Sequence, residues 1–186
     1  MAKIITTPLT DEVTSNLHAG DRVLISGIIY TGRDAAHKRL FEMAERGEEL
    51  PLNLEGQVIY YVGPCPAKPG KAIGSAGPTT SGRMDTYTPK LMEKGLKGMI
   101  GKGLRKQSVV DSIIGHKGVY FAAIGGAGAL LAEAVKEAEI VAFEELGPEA
   151  IYKLRVENFP VTVIIDSEGK DLYEIGRMQF KIQGLE

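Results

Sequence analysis

Apolar residues come along this chain in short, nearly unbroken runs, and most runs are closed by glycine or proline. The clearest is Arg22-Val23-Leu24-Ile25-Ser26-Gly27-Ile28-Ile29-Tyr30, β-branched and apolar at both alternating sets of positions. That pattern predicts a strand buried on both faces. Gln57–Val62, Lys97–Ile100, Val119–Ile124 and Pro160–Asp166 read the same way, and Ile140–Glu144 is strand-like. Between them, apolar positions recur at helical spacing. Thr10, followed by Asp11 and Glu12, caps a helix that ends at Ala19-Gly20-Asp21. Leu40, Met43 and Ala44 stripe a helix from Ala35 to Arg46, with Gly47 as its stop. A helical stretch begins near Ser81–Arg83, restarts at Pro89 with Thr88 as cap, and ends at Gly95. Gln107–Ile114 and Ala127–Ala138 are further predicted helices, and Pro148–Val156 a short helical turn. Ser167-Glu168-Gly169-Lys170 reads as a hairpin turn, with Asp171–Ile175 as the returning strand. Alternating strands and helices with a terminal hairpin predict an α/β domain built on a mixed sheet. No repeat or linker interrupts residues 1–186, which read as a single domain.

Composition narrows the function classes. A formal charge of -2 gives no reason to expect a nucleic-acid partner. The opening Met-Ala-Lys-Ile-Ile-Thr-Thr-Pro lacks the apolar core of a signal peptide, and no run is long and apolar enough to span a membrane. Cys65 is the single cysteine. It excludes an internal disulfide and fits a reducing cytoplasm. One thiolate also cannot ligate an iron–sulfur cluster or a thiolate zinc site, so no metal site is expected on this chain.

Unusual choices concentrate in the glycine- and proline-rich segment Gly63–Gly82 and the residues that follow it. A loop that long in a compact domain is functional or disordered. Ala72-Ile73 reads as a short strand within it. Its end, Gly74-Ser75-Ala76-Gly77-Pro78-Thr79-Thr80-Ser81-Gly82-Arg83-Met84-Asp85, gathers tight-turn residues, three consecutive hydroxyls and an arginine. A helix start with free N–H groups and a guanidinium suits an anion; a turn plus a helix cap also accounts for much of it. Neither the Walker nor the dinucleotide glycine spacing is present, and Gly125-Gly126-Ala127-Gly128 reads as tight strand–helix packing. Arg33-Asp34 and Gly101-Lys102-Gly103 each follow a strand, where α/β folds collect ligand groups. Two readings stay open for each: an anion ligand, or a local ion pair for Arg33-Asp34 and a solvated turn lysine for Lys102. His37 reads as a surface or packing residue and Cys65 as a small residue held between Pro64 and Pro66. Arg33, Arg83, Lys102 and the hydroxyls of Thr79, Thr80 and Ser81 together suggest a substrate with more than one carboxylate. An acid–base pair and a metal site are missing from the set, as if part of the site lay elsewhere.

At these residues the chain resembles the β subunit, or C-terminal domain, of class I iron–sulfur fumarate hydratase and L-tartrate dehydratase. Gly77-Pro78-Thr79-Thr80-Ser81-Gly82-Arg83-Met84-Asp85 is similar to the family's signature, with Ser81 where relatives often have alanine. Gly32-Arg33-Asp34-Ala35-Ala36-His37, Tyr61-Val62-Gly63-Pro64, Met99-Ile100-Gly101-Lys102-Gly103 and Val156-Glu157-Asn158-Phe159-Pro160 follow in the family's order.

The resemblance implies a swivelling β/β/α fold. It also implies a partner α subunit, in a heterodimer or α2β2 assembly, whose three cysteines hold a [4Fe-4S] cluster. The open iron would bind the substrate as a Lewis acid. By motif position Arg33, Arg83 and Lys102 become substrate-carboxylate ligands, with Thr80 and Ser81 beside them, and Thr79 the catalytic base. The implied reaction is reversible hydration of fumarate to (S)-malate. The alternatives are L-tartrate or mesaconate as substrate, or a non-catalytic dicarboxylate-binding subunit.

Overall fold

The computed structural model of the chain describes residues 1–180. Seven strands form a single mixed sheet: β1 (Lys3–Thr6), β2 (Arg22–Thr31), β3 (Val58–Tyr60), β4 (Gly98–Gly101), β5 (Val119–Ala122), β6 (Val135–Ala142) and β7 (Ile151–Ile165). The order across the sheet is β1-β2-β3-β4-β5-β7-β6, with β1 to β5 mutually parallel. β7, 15 residues long, runs antiparallel to β5, β6 and also β2. The pairing of β7 with β2 closes β2, β3, β4, β5 and β7 into a five-stranded barrel-like ring. β2 changes partner along its length. Its first half pairs with β1, its Tyr30 and Thr31 pair with β3, and its register against β7 shifts between Ile25 and Gly27.

Strict alternation along the strands builds two apolar layers. Val58, Tyr60, Ile100, Val119 and Phe121 point to one cluster with Ile25, Ile29, Phe159 and Val163. Ile59, Tyr61, Met99 and Tyr120 point to the other, beneath helices α2 (Asp34–Glu45), α3 (Thr88–Glu93) and α4 (Gln107–Gly115). Both faces being buried is why these strands read as continuous apolar runs. Tyr60 and Phe159 meet edge to face at 5.3 Å in the first layer, a contact that adds ~0.5–1.5 kcal/mol beyond burial.

Several elements form as their sequence dictates. Thr10 caps α1 (Asp11–Ser15) by accepting from the Val13 N–H at 3.2 Å. Gly47 follows α2 at φ 70°, the left-handed stop expected there.

Others differ. The helix predicted for Ala127–Ala138 is only α5 (Gly128–Glu133), and Val135–Ala142 is strand β6. The Ala-Glu-Lys composition favours a helix, but pairing with β7 overrides propensity. The helical turn predicted at Pro148–Val156 is replaced by a 3-10 segment, Glu144–Glu149, leading into β7. The returning strand predicted at Asp171–Ile175 shrinks to one bridge, Ile165 with Asp171, before helix α6 (Leu172–Phe180). Ala72-Ile73 is not a strand, and Ile73 instead fills the core. The chain around Ser81–Met84 is 3-10, and Thr88 lies inside α3 with its hydroxyl donated to the Met84 carbonyl at 2.9 Å. β1 is an element the sequence reading lacked. None of the described helices is long and apolar enough to cross a membrane.

Candidate active site

The carboxyl ends of three adjacent parallel strands, β2, β3 and β4, carry the candidate residues. Past β2 come Gly32 and Arg33; past β4 comes Lys102. Between them the loop that leaves β3 returns to the sheet. The Thr79 N–H donates to the Tyr61 carbonyl at 2.7 Å, Thr80 bridges Lys102 in parallel register, and the Ser81 N–H donates to the Lys102 carbonyl at 2.8 Å. The segment Thr79–Ser81 therefore extends the sheet and brings its hydroxyls level with Lys102. Tyr60 secures the loop's root by donating its hydroxyl to the Ala76 carbonyl.

Ser81 faces inward. It is fully buried, its Oγ accepts from the Lys102 N–H at 3.0 Å and donates to the Tyr120 hydroxyl oxygen at 2.9 Å, whose own proton goes to the Gly103 carbonyl at 2.8 Å, and it caps no helix. Thr79 is half-buried and Thr80 exposed, and among the described residues neither hydroxyl has a hydrogen-bond partner. Gly101 is required here, because a Cβ would lie 2.0 Å from the Ser81 Oγ.

Beneath the segment sits a buried ion pair. Arg105 donates from Nε to Asp85 at 2.7 Å and from a terminal nitrogen to the Thr88 hydroxyl at 2.9 Å, and stacks over the Tyr61 and Tyr120 rings. Asp85 also accepts the Lys106 N–H at 2.7 Å. Asp85 and Arg105 thus tie the end of the motif to the chain beyond β4, and their satisfied hydrogen bonds are what makes burial of both charges tolerable.

Arg33 and Arg83 meet at one carboxylate. Arg83 grips Asp34 with two hydrogen bonds, Nε to Oδ1 at 2.8 Å and a terminal nitrogen to Oδ2 at 2.7 Å. The Arg33 Nε lies 3.5 Å from the same Asp34 Oδ2, and its terminal nitrogen 3.1 Å from Glu149. Glu149 also accepts the Ala35 N–H at 2.9 Å, at the start of α2. A Cβ on Gly63 would lie 2.9 Å from the Pro148 carbonyl and 3.1 Å from the Arg33 guanidinium, so the close approach of these backbones needs glycine. The local ion pair expected for Arg33-Asp34 is present, and it is part of a wider cluster. Two cations, Arg33 and Arg83, are set against two carboxylates, Asp34 and Glu149, while Lys102 enters no ion pair among the described residues. The positive excess is smaller than a count of the cations alone suggests.

His37 lies under this cluster, fully buried. Its Nδ1 is 3.1 Å from the Arg33 carbonyl, which can only accept, so the proton sits on Nδ1. Among the described residues its Nε2 is buried without a partner, and the ring stands edge-on to Tyr61. Burial pushes the imidazole down to about 4; the bond to the Arg33 carbonyl opposes this, Arg105 adds to it, and Asp34 opposes it. His37 is a neutral packing residue supporting Arg33. Cys65, by contrast, is exposed and not the packed residue its two prolines suggested.

Sequence reasoning missed Glu149 and Arg105. Glu149 had no local signal, since its contact with Ala35 spans 114 residues. Arg105 carried one faint mark, its place just after the Gly101-Lys102-Gly103 turn. Concavities of 320–460 Å³ occur beside Cys65 and along α5, but Arg33, Thr79, Arg83 and Lys102 line none of them.

The family described as Fumarase C-terminus matches residues 3–176. The aerobic class I fumarate hydratase of Salmonella typhimurium is 44% identical over 155 residues, covering 82% of this chain and 27% of its own length. A putative class I fumarate hydratase of Geobacillus stearothermophilus is 41% identical over 172 residues, covering 90% of this chain and 32% of its own. A putative L(+)-tartrate dehydratase subunit beta of Methanocaldococcus jannaschii is 40% identical over 172 residues, covering 89% of this chain and 88% of its own. The chain therefore spans less than a third of the fumarate hydratases and nearly all of the tartrate dehydratase subunit.

Proposed function

The chain belongs to the fumarase C-terminal family, as a β subunit or C-terminal domain, and from that premise we propose that it is the β part of a hydro-lyase interconverting fumarate and (S)-malate. The observation that carries this reading is the convergence of Arg33, Thr79, Arg83 and Lys102 at the carboxyl ends of neighbouring parallel strands. The same reading takes the chain as one domain of the swivelling β/β/α type, working against a partner α subunit.

In the forward sense, (S)-malate loses a proton from one carbon and hydroxide from its neighbour, giving fumarate and water. Arg33 and Arg83 offer paired N–H groups to a substrate carboxylate, and Lys102 a compact ammonium beside them. The Thr79 Oγ, as alkoxide, takes the proton and becomes a hydroxyl, and that proton then joins the departed hydroxide to make the water and restore the alkoxide. A hydroxyl is a weak base by itself, and the neighbouring cations make its alkoxide less unfavourable. Ser81 acts from below by holding the backbone of Lys102, while Thr80 lies on the exposed rim.

A [4Fe-4S] cluster belongs to this reading, but the residues of this chain do not fit it as ligands. Among the described residues no three His, Cys, Asp or Glu converge, and Cys65 stands alone. The cluster is assigned to the partner, where it would supply Lewis-acid assistance to hydroxide departure.

The test is co-expression with the α partner under anaerobic conditions and assay with fumarate, malate and L-tartrate. Thr79→Val should abolish turnover while leaving assembly and substrate binding; near-normal turnover removes Thr79 as base. A second reading, L-tartrate as substrate, draws on the tartrate dehydratase subunit of matching length. Faster turnover of L-tartrate than of malate decides for it.

A further inference from the structure

Among the described residues Asp34 is the one carboxylate that touches both candidate arginines, and its geometry toward Arg83 is specific. A guanidinium presents two edges to a carboxylate: a side edge, made of Nε and one terminal nitrogen, and an end edge, made of both terminal nitrogens. Asp34 occupies the side edge of Arg83, with bonds of 2.8 and 2.7 Å. Among the described residues the end edge has no partner, and the Arg83 side chain is 51% exposed. Asp34 is itself fixed, in the first turn of α2. Arg83 stands on a four-residue 3-10 segment with no capping side chain. Its long side chain has several rotamers open to it, and the bond to Asp34 selects one.

We propose that Asp34 is a positioning residue, holding Arg83 side-on so that the free end edge of its guanidinium meets a substrate carboxylate. This rests on the reading of Arg83 as a carboxylate ligand given above. Glu149 does the corresponding work for Arg33, pairing with its terminal nitrogen at 3.1 Å while anchored to the Ala35 N–H. A pair this exposed contributes little to stability. Its consequence is orientation, and orientation is read out in binding and not in folding.

The experiment is a double-mutant cycle in the reconstituted complex with the α partner, using Asp34→Asn, Arg83→Met and the two combined. KM and kcat are measured with each of fumarate, (S)-malate and L-tartrate that is turned over. Succinate, a saturated dicarboxylate with nothing to eliminate, is titrated by calorimetry so that the cycle is also read without turnover. Asp34→Asn should weaken succinate and raise KM by about ten-fold, a loss in keeping with a misplaced binding group. In the Arg83→Met background the same substitution should add less than about two-fold, because the group it acts through is gone. Thermal melting of each complex should be nearly unchanged.

An equal loss in both backgrounds overturns the proposal, since Asp34 would then act independently of Arg83. So does no change, and so does tighter binding in Asp34→Asn, which would make Asp34 a stand-in that substrate displaces. Unchanged binding in Arg83→Met alone removes Arg83 as a ligand and this proposal with it. A loss in Arg83→Met without one in Asp34→Asn removes only the proposal. Where Asp34→Asn does not assemble, Asp34→Glu keeps the charge, alters its reach and carries the same cycle with the same expected sign.

Discussion

Acidification should destabilise this protein through His37. The ring is fully buried, its Nε2 has no partner among the described residues, and the charge of Arg105 disfavours a proton there. Its ordinary value of 6.5 falls to about 4 in the folded chain. Between those values the unfolded chain binds a proton that the folded chain refuses. Stability is therefore complete above pH 6.5 and falls as the pH drops toward 4. At ~1.36 kcal/mol per pH unit, the gap corresponds to about 3 kcal/mol, a large part of the margin of a typical domain. The groups facing the ring are the Arg33 carbonyl, Tyr61, Arg105 and Asp34, of which Asp34 and the carbonyl pull the other way. The assay is urea unfolding followed by far-ultraviolet circular dichroism, at steps from pH 7 to pH 4, on the native chain and on His37→Asn. Asparagine keeps a donor for the Arg33 carbonyl and does not titrate. Its cost from lost packing is independent of pH, and every other titrating group is common to both proteins. The stability advantage of the native chain should shrink by about 3 kcal/mol across the window. Curves that stay parallel would refute the reasoning, and would mean that the ring acquires a partner for its proton on acidification.

Breaking the buried Asp85–Arg105 pair from one side, by Asp85→Asn or Arg105→Met, should cost ~3–5 kcal/mol in the same unfolding assay. The double substitution Asp85→Asn/Arg105→Met should cost less than either single change plus the other, because it leaves no unpaired charge. Ser81→Ala leaves the Lys102 N–H short of an acceptor and the Tyr120 hydroxyl oxygen short of a donor, for about 1–3 kcal/mol; an unchanged midpoint would mean that water replaces the hydroxyl. Gly101→Ala forces a Cβ against the Ser81 Oγ, and should cut turnover of the reconstituted complex sharply while the isolated chain still folds, with circular dichroism as the control.

Strands β2, β3, β4 and β5 were legible because both of their faces are apolar, which leaves a run that no helix of that length would carry. Only the end of β6 was, at Ile140–Ala142; its first half was not, because Val135-Lys136-Glu137-Ala138 favours a helix by local propensity and becomes a strand only against β7. β7 was cut short in the reading by Pro148, Asn158 and Pro160. The structure accommodates them: Pro148 lies before the strand, Asn158 takes φ 51°, and Pro160 stands opposite Leu24, close to the register shift in β2. Arg33 and Lys102 could be singled out because strand ends are visible in sequence. Which of three consecutive hydroxyls turns inward could not be. That depends on the parallel bridge between Thr80 and Lys102, which joins segments far apart in the chain. The adjacent Arg33-Asp34 pair was readable, but no pattern announced that Asp34 reaches across to Arg83 or that Glu149 joins them.

The barrel-like ring has a consequence for how the chain folds. β2 to β5 are parallel neighbours joined by helices, and each can be laid down as the chain lengthens. The ring cannot close until β7 arrives, because that single strand pairs with β2 on one side and β5 on the other. Until then the free margins of β2 and β5 are open templates for other strands. The last step joins Arg22 to Thr162 and so bridges nearly the whole described chain, a non-local closure of the kind that makes folding slow. A folding lag sensitive to protein concentration, abolished when β7 is supplied earlier in a circular permutant, would be its signature.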